Sequence, residues 1–277
     1  MAIRINTNVE SVFAQKSLAR TQRSLRHDMQ QLSSGLRITK AADDAAGLGV
    51  SEKMRAQISS LHMASRNAQD GISMIQTAEG AANEIGDILS RMRELAVESS
   101  SEVLQATERA YLETEFDALQ AEAERIAQAT SFNGLNLTDG TDTSVAVQVG
   151  IFNVAAEDRV SVSLASITTT TLGVNSSTAS VSTASNAQTA IGLVDTALDS
   201  LNSARASYGA NQNQLASAVR ALENYTENLV EAESRIRDVD FADATASLTR
   251  NQIFQQAGIA ILSQANSAPG AALSLLA

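Results

Sequence analysis

Counting in sevens from Ala187 lands on Val194, Leu201, Tyr208, Leu215, Leu222, Leu229 and Ile236, an unbroken apolar row. A second row offset by three, Ala190, Ala197, Ala204, Ala218, Tyr225 and Ala232, is interrupted only at Asn211. Two such rows make the heptad seam of an α-helix packed along its length on other helices. At 1.5 Å per residue this helix runs roughly 75 Å. No compact domain needs a helix that long, so the seam predicts an elongated bundle whose partner helices lie elsewhere in the chain.

Those partners are visible upstream. Leu18, Leu25 and Leu32, with Met29 and Leu36 interleaved, predict a first helix that Asn8 or Ser11 caps and Gly35 closes, after an extended start at Ile3, Ile5 and Thr7. Thr39 to Gly49 is small and flexible and reads as a connector. Apolar spacing of three and four from Ile58 to Ala96 predicts a second long helix closed at Ser99 to Ser101, and a third runs from about Leu104 through Phe116 to Ile126. Asn133-Gly134 then turns the chain. Val145, Val147 and Val149, followed by Val160, Val162 and Leu164, alternate as the strands of a hairpin joined through Asn153 to Asp158. The Ser/Thr-rich stretch from Ser161 to Thr189 reads as solvated surface.

A connector falls near Asp238 to Asp240, and the last segment, Leu248 to Ala265, is apolar nearly all round, with Ile253, Phe254, Ala257, Ile259, Ile261 and Leu262. Such a helix requires burial on every side, whereas a chain terminus is usually the least buried part of a monomer. The two agree only if many subunits bury these ends together.

Composition supports narrow seams. Hydrophobic residues make up 44% of the 277, but aromatics only 3%, with no Trp and a single proline, Pro269. That suits helix seams better than a wide globular core. A net charge of −11 argues against nucleic acid or an anionic membrane surface as partner. The absence of cysteine excludes disulfides and thiolate metal sites. Met1 to Asn6 is followed by no apolar signal region, and no run of about 18 apolar residues could span a membrane. Taken alone, these features describe a soluble cytoplasmic protein.

Candidate chemistry is sparse. His27 and His62 sit on separate helices without metal-site spacing, and Gly47-Leu48-Gly49 lacks the third glycine and preceding strand of a nucleotide loop. Asp43-Asp44 and Asp238-Val239-Asp240 read as helix caps and solvated charges rather than catalytic pairs. Asn136-Leu137-Thr138 and Asn175-Ser176-Ser177 match the acceptor pattern for N-glycosylation, which is common by chance. No catalytic, cofactor or metal set emerges, because nothing brings a nucleophile, a base and a pocket together.

Several longer motifs resemble bacterial flagellin: Ile5-Asn6-Thr7-Asn8, Leu32 to Ile38, Ala42-Asp43-Asp44-Ala45-Ala46-Gly47-Leu48, Arg66 to Ser73, Gln76 to Gly80, Arg91 to Val97, Ser234-Arg235-Ile236 and Gln255 to Asn266. The resemblance covers both terminal thirds, and the middle is short. It implies a mainly α subunit, a long antiparallel helical bundle with a small β-hairpin region at about 141–186, that self-assembles into the flagellar filament and serves motility. By resemblance, residues 1–44 and 237–277 form the inner coiled-coil domain and 45–236 the surrounding helical core domain. Leu18, Leu25, Leu32, Phe254, Ile261 and Leu262 are the polymerisation residues this implies.

The resemblance also implies export without a cleaved signal to an extracellular filament, or to a periplasmic one, and so revises the cytoplasmic reading. It implies copies of itself, an export chaperone, and the filament cap and hook-junction proteins as partners. It extends to the host innate receptor for flagellin, with Arg91, Leu95 and Glu115 at the matching positions and Ser90, Met92 and Glu98 departing from the motif. O-glycosylation of the Ser161 to Thr189 stretch is a further implication. The alternative to a filament subunit is a soluble coiled-coil adaptor or export chaperone.

Overall fold

The computed structural model describes residues 7–274. In chain order they form helices α1 (Val9–Ser34), α2 (Ala45–Ser99) and α3 (Ala106–Ala129), strands β1 (Ser131–Phe132), β2 (Leu135–Asn136) and β3 (Ser144–Gln148), the helical turn α4 (Ala155–Asp158), strand β4 (Arg159–Ser163), the turn α5 (Thr169–Leu172), and helices α6 (Ala184–Arg237) and α7 (Phe241–Ser274). The fold is mainly α, as the heptad rows predict. Two compact units emerge, one of Gln57–Thr226 and one of the residues before and after it, and the division falls inside α2 and α6.

The 57–226 unit is a three-helix bundle roofed by a hairpin. Gly86 approaches Leu201, Glu79 accepts from Gln212 at 3.0 Å and Arg93 donates to Asp195 at 2.6 Å, so α2 and α6 run antiparallel. The heptad row of α6 points inward: Ala187, Val194, Leu201, Tyr208 and Leu215 are essentially inaccessible, against Ile85, Leu89, Met92 and Leu95 of α2 and Phe116 of α3. Burial fades toward the helix end, where Leu229 and Ile236 are half-buried and Tyr225 is exposed.

Strands β3 and β4 pair antiparallel with Val145 opposite Val162 and Val147 opposite Val160. Their inner valines press on Gly71, where an added Cβ would lie 3.1 Å from Val147 and 3.2 Å from Leu215. Tyr208 shows why this core tolerates a phenol. Its hydroxyl lies 3.3 Å from the backbone N–H and 3.4 Å from the carbonyl of Ala165, and burial raises its pKa.

Three expectations need correction. Thr39 to Gly49 is not all connector: the Asp44 carboxylate accepts from the Gly47 N–H at 2.8 Å and α2 starts at Ala45, the capping and the alanines outweighing the glycines. The Ser/Thr-rich stretch is solvated on one side only: most of its serines and threonines are exposed, as expected, but its aliphatic residues are not. Ile167, Leu172, Val174, Ala179 and Val181 recur closely enough to anchor it in the core, and several of its polar groups find partners on α3. Thr169, for instance, donates through N and Oγ1 to Glu124 at 2.8 and 2.7 Å.

Asn133-Gly134, both at positive φ, is the tip of a short β1–β2 hairpin that alternation over two residues could not reveal. Met29 is exposed, and its neighbour Asp28 takes the inward position. Ile3 and Ile5 lie outside the described residues. Leu201→Ala, which empties the centre of the α2–α6 seam, should destabilise the 57–226 unit by about 3 kcal/mol in urea unfolding followed by circular dichroism.

Candidate assembly surface

The second unit is organised by the pairing of α1 with α7. Asn8 caps α1 by accepting from the Ser11 N–H at 3.0 Å, and its amide donates to the Ala265 carbonyl at 2.7 Å. The Ser11 hydroxyl donates to Asn266 at 2.7 Å, Leu18 lies over Gly258, and Asp28 accepts from Asn251 at 2.6 Å. Partners descend along α7 as α1 ascends, so the helices are antiparallel.

At the far end Gly35 closes α1 at φ 72, and its carbonyl accepts from the Val239 N–H at 3.0 Å beside a β-bridge between Leu36 and Asp238. Arg37 completes the junction. Its N–H donates to the Arg237 carbonyl at 2.7 Å and its guanidinium to the Ile236 carbonyl at 2.5 and 3.2 Å. These polar contacts fix the register of two helices whose apolar rows alone would slide.

One neighbour cannot cover these helices. Leu18, Leu25 and Leu32 are half-buried in the α1–α7 seam, and Leu262 is likewise half-buried. Phe254 and Ile261 point outward, 55% and 61% exposed, and Phe13 is 74% exposed on α1. Ile253, Ile259, Val9 and Val12 are exposed as well. Around Phe13, Ala14, Gly258 and Ile261 the two helices leave an apolar groove of about 630 Å³. A row of large apolar side chains in water on this scale marks a surface that another molecule covers.

The other expected residues lie in the 57–226 unit. Arg91 donates to Glu115 at 2.7 Å and to Glu94 at 2.9 Å, all three exposed, whereas Leu95 is fully buried. Carboxylates and histidines form no metal-binding group of three or more among the described residues. His27 is exposed, 3.9 Å from Asp43. No helix of the described residues is long and apolar enough to cross a membrane.

Residues 5–143 match the model of the bacterial flagellin N-terminal helical region, and residues 191–276 that of the bacterial flagellin C-terminal helical region. The chain belongs to the bacterial flagellin family. It is 44% identical over 272 residues to the flagellin of Halalkalibacterium halodurans, spanning 98% of this chain and 99% of that one. Against the flagellar filament 33 kDa core protein of Treponema phagedenis it is 42% identical over 283 residues, again 98% and 99% of the two chains. The crystal structure of Bacillus cereus flagellin matches 57% of this chain and 88% of its own, with a TM-score of 0.50 at 29% identity. Flagellins are structural proteins. The stretch between the two matched regions, 144–190, holds the β3–β4 hairpin and the anchored Ser/Thr-rich segment.

The residues that set register, Asn8, Ser11, Asp28, Asn251 and Asn266, were not singled out together from the sequence. The available signal was a polar residue at a spacing that the apolar rows would have filled, Asp28 above all. The α1–α2 connector carries a second polar device. Asp43 accepts from the Thr39 hydroxyl at 2.8 Å and from the Thr39 and Lys40 N–H groups at 3.0 Å, and these bonds, the hydroxyl's first, hold its pKa below the ordinary 3.8. Hydrogen bonding from Arg237 similarly holds Glu52 below 4.5. Depressed carboxylate pKa values contribute stability that is complete above the ordinary range and lost as pH falls through the folded-state value. Thermal unfolding of the parent should therefore weaken below about pH 4, and Asp43→Asn should show a shallower loss there while being less stable at neutral pH.

Proposed function

We propose that this chain is the structural subunit of a bacterial flagellar filament, a homopolymer that serves motility, with no catalytic role. The observation that supports it best is the outward apolar row of α1 and α7, in a chain of this family whose two ends are locked in register but covered on one side only. Leu18, Leu25, Leu32 and Leu262 consolidate the pair, and Phe254 and Ile261 meet neighbouring copies. In this reading 1–44 and 237–277 act as the inner coiled-coil domain and 45–236 as the helical core domain. A soluble adaptor or export chaperone is not favoured, since one partner would have to cover the outward faces of both helices.

The proposed location is the filament outside the cell, reached by export without a cleaved signal, with a periplasmic flagellum as the alternative. An export chaperone and the cap and hook-junction proteins are the proposed transient partners. A host receptor for flagellin approaching α2 would meet the exposed Arg91–Glu115 pair, while Leu95 would act from beneath by holding the helix in place.

Burying one large aliphatic or aromatic side chain contributes about 1.5–3 kcal/mol. Phe254→Asp and Ile261→Asp should each raise the critical concentration for filament growth by about tenfold or more, measured by sedimentation and negative-stain microscopy, with helical content unchanged. Removing the residues after Phe241 should leave a folded 57–226 unit that forms no filaments. Filaments of normal length and yield from either kind of variant would contradict the proposal.

A further inference from the structure

The face of α1 turned away from α7 is cationic. Residues 16–26 contain Lys16, Arg20, Arg23 and Arg26 and no acid, a net charge of +4. At 100° per residue the four fall within about a third of the helix circumference, opposite the row of Leu18, Leu25 and Leu32. All four are exposed, and none forms an ion pair among the described residues. Arg23 and Arg26 reach only carbonyls of their own helix, those of Ala19 and Gln22 at 3.4 Å. The chain as a whole carries −11, so this stripe stands out against its background.

The complementary charge lies elsewhere in the same unit. Residues 227–243, the end of α6 and the start of α7, hold six carboxylates against Arg235 and Arg237, a net charge of −4. Glu227, Asp238 and Asp243 are exposed there and take no part in an ion pair among the described residues. The junction of Gly35 with Val239 places Asp238 and Asp243 at the C-terminal end of α1. Arg20 lies fifteen residues before Gly35, roughly 22 Å along the axis, beyond the reach of an arginine side chain. Among the described residues no ion pair joins the stripe to these acids. When the positive patch of one copy meets the negative patch of the next, the contact is heterologous, and it extends into an open helical polymer wherever the rotation does not close a ring.

We propose that the cationic face of α1, through Arg20, Arg23 and Arg26, docks on the acidic α6–α7 junction of a second copy, at Glu227, Asp238 and Asp243, as an electrostatic contact between successive subunits. This rests on the filament reading and adds to it a named polar interface beside the apolar one. Such a contact steers association and sets register more than it adds affinity, and it weakens with salt.

The test is the critical concentration for elongation of the full chain at low and high ionic strength. Arg20→Glu/Arg23→Glu should raise it about tenfold at low salt, the sum of a few screened pairs, with little change at high salt. Asp238→Arg/Asp243→Arg should do the same, and a mixture of the two variants should recover much of the loss by co-assembly. The milder Arg20→Gln/Arg23→Gln, which cannot introduce repulsion within α1, should move in the same direction by a smaller factor. Parent-like critical concentrations and salt dependence in the reversed variants, or mixtures no better than either alone, would overturn this interface while leaving the filament reading intact. A parent chain that forms no filaments under any salt condition would overturn both.

Discussion

A seam built from alanine, leucine, isoleucine and valine buries a strip of each helix, so a helix is covered only when it has neighbours on enough sides. The 57–226 unit satisfies this constraint within one chain. There α6 meets α2, α3 and the β3–β4 hairpin, and its heptad row from Ala187 to Leu215 is inaccessible to water. The pairing of α1 with α7 does not satisfy it. Among the described residues these two helices pack chiefly on each other, their leucines stop at half burial, and Phe13, Phe254 and Ile261 face water. Both units use the same kind of packing, and only one of them has enough partners.

The polar contacts make sense against that shortfall. Two helices that bury little have little apolar energy to choose a register, and the Asp28–Asn251, Ser11–Asn266 and Gly35–Val239 contacts supply the choice. A buried or half-buried polar pair adds little net stability but penalises every misaligned alternative. The polar contacts thus select one geometry for the paired ends. The cationic face of α1 lies outside this arrangement, on the side that pairing with α7 leaves free.

Most of the helical architecture was legible because its signals are long. The heptad row of α6 and the three-and-four apolar spacing of α2 define those helices without reference to structure, apart from the start of α2 at Ala45, and Asn8 and Gly35 mark the ends of α1 where expected. Short-range features were less legible. The Ser161 to Thr189 stretch is mostly hydroxyl-bearing, and its few aliphatic residues have no period, so their burial depends on partners distant in sequence such as Gln120 and Glu124 of α3. Asp28 was missed for a related reason. Its inward position is tolerable only because Asn251, more than two hundred residues away, presents an amide to it. The same limit applies to the assembly residues, whose outward direction in α7 follows from where α1 sits and not from a helix that is apolar nearly all round.

The account turns on whether copies of the chain cover the outward face of α7. Because the sequence has no cysteine, Ile261→Cys gives a single thiol on that face, and its maleimide labelling rate can be compared between monomer and filament. Thr196→Cys, on the exposed side of α6, serves as the reference position. The account predicts rapid labelling at position 261 in the monomer and strong protection in the filament, with the ratio to position 196 falling sharply on assembly. Equal labelling of position 261 in the two states would contradict it.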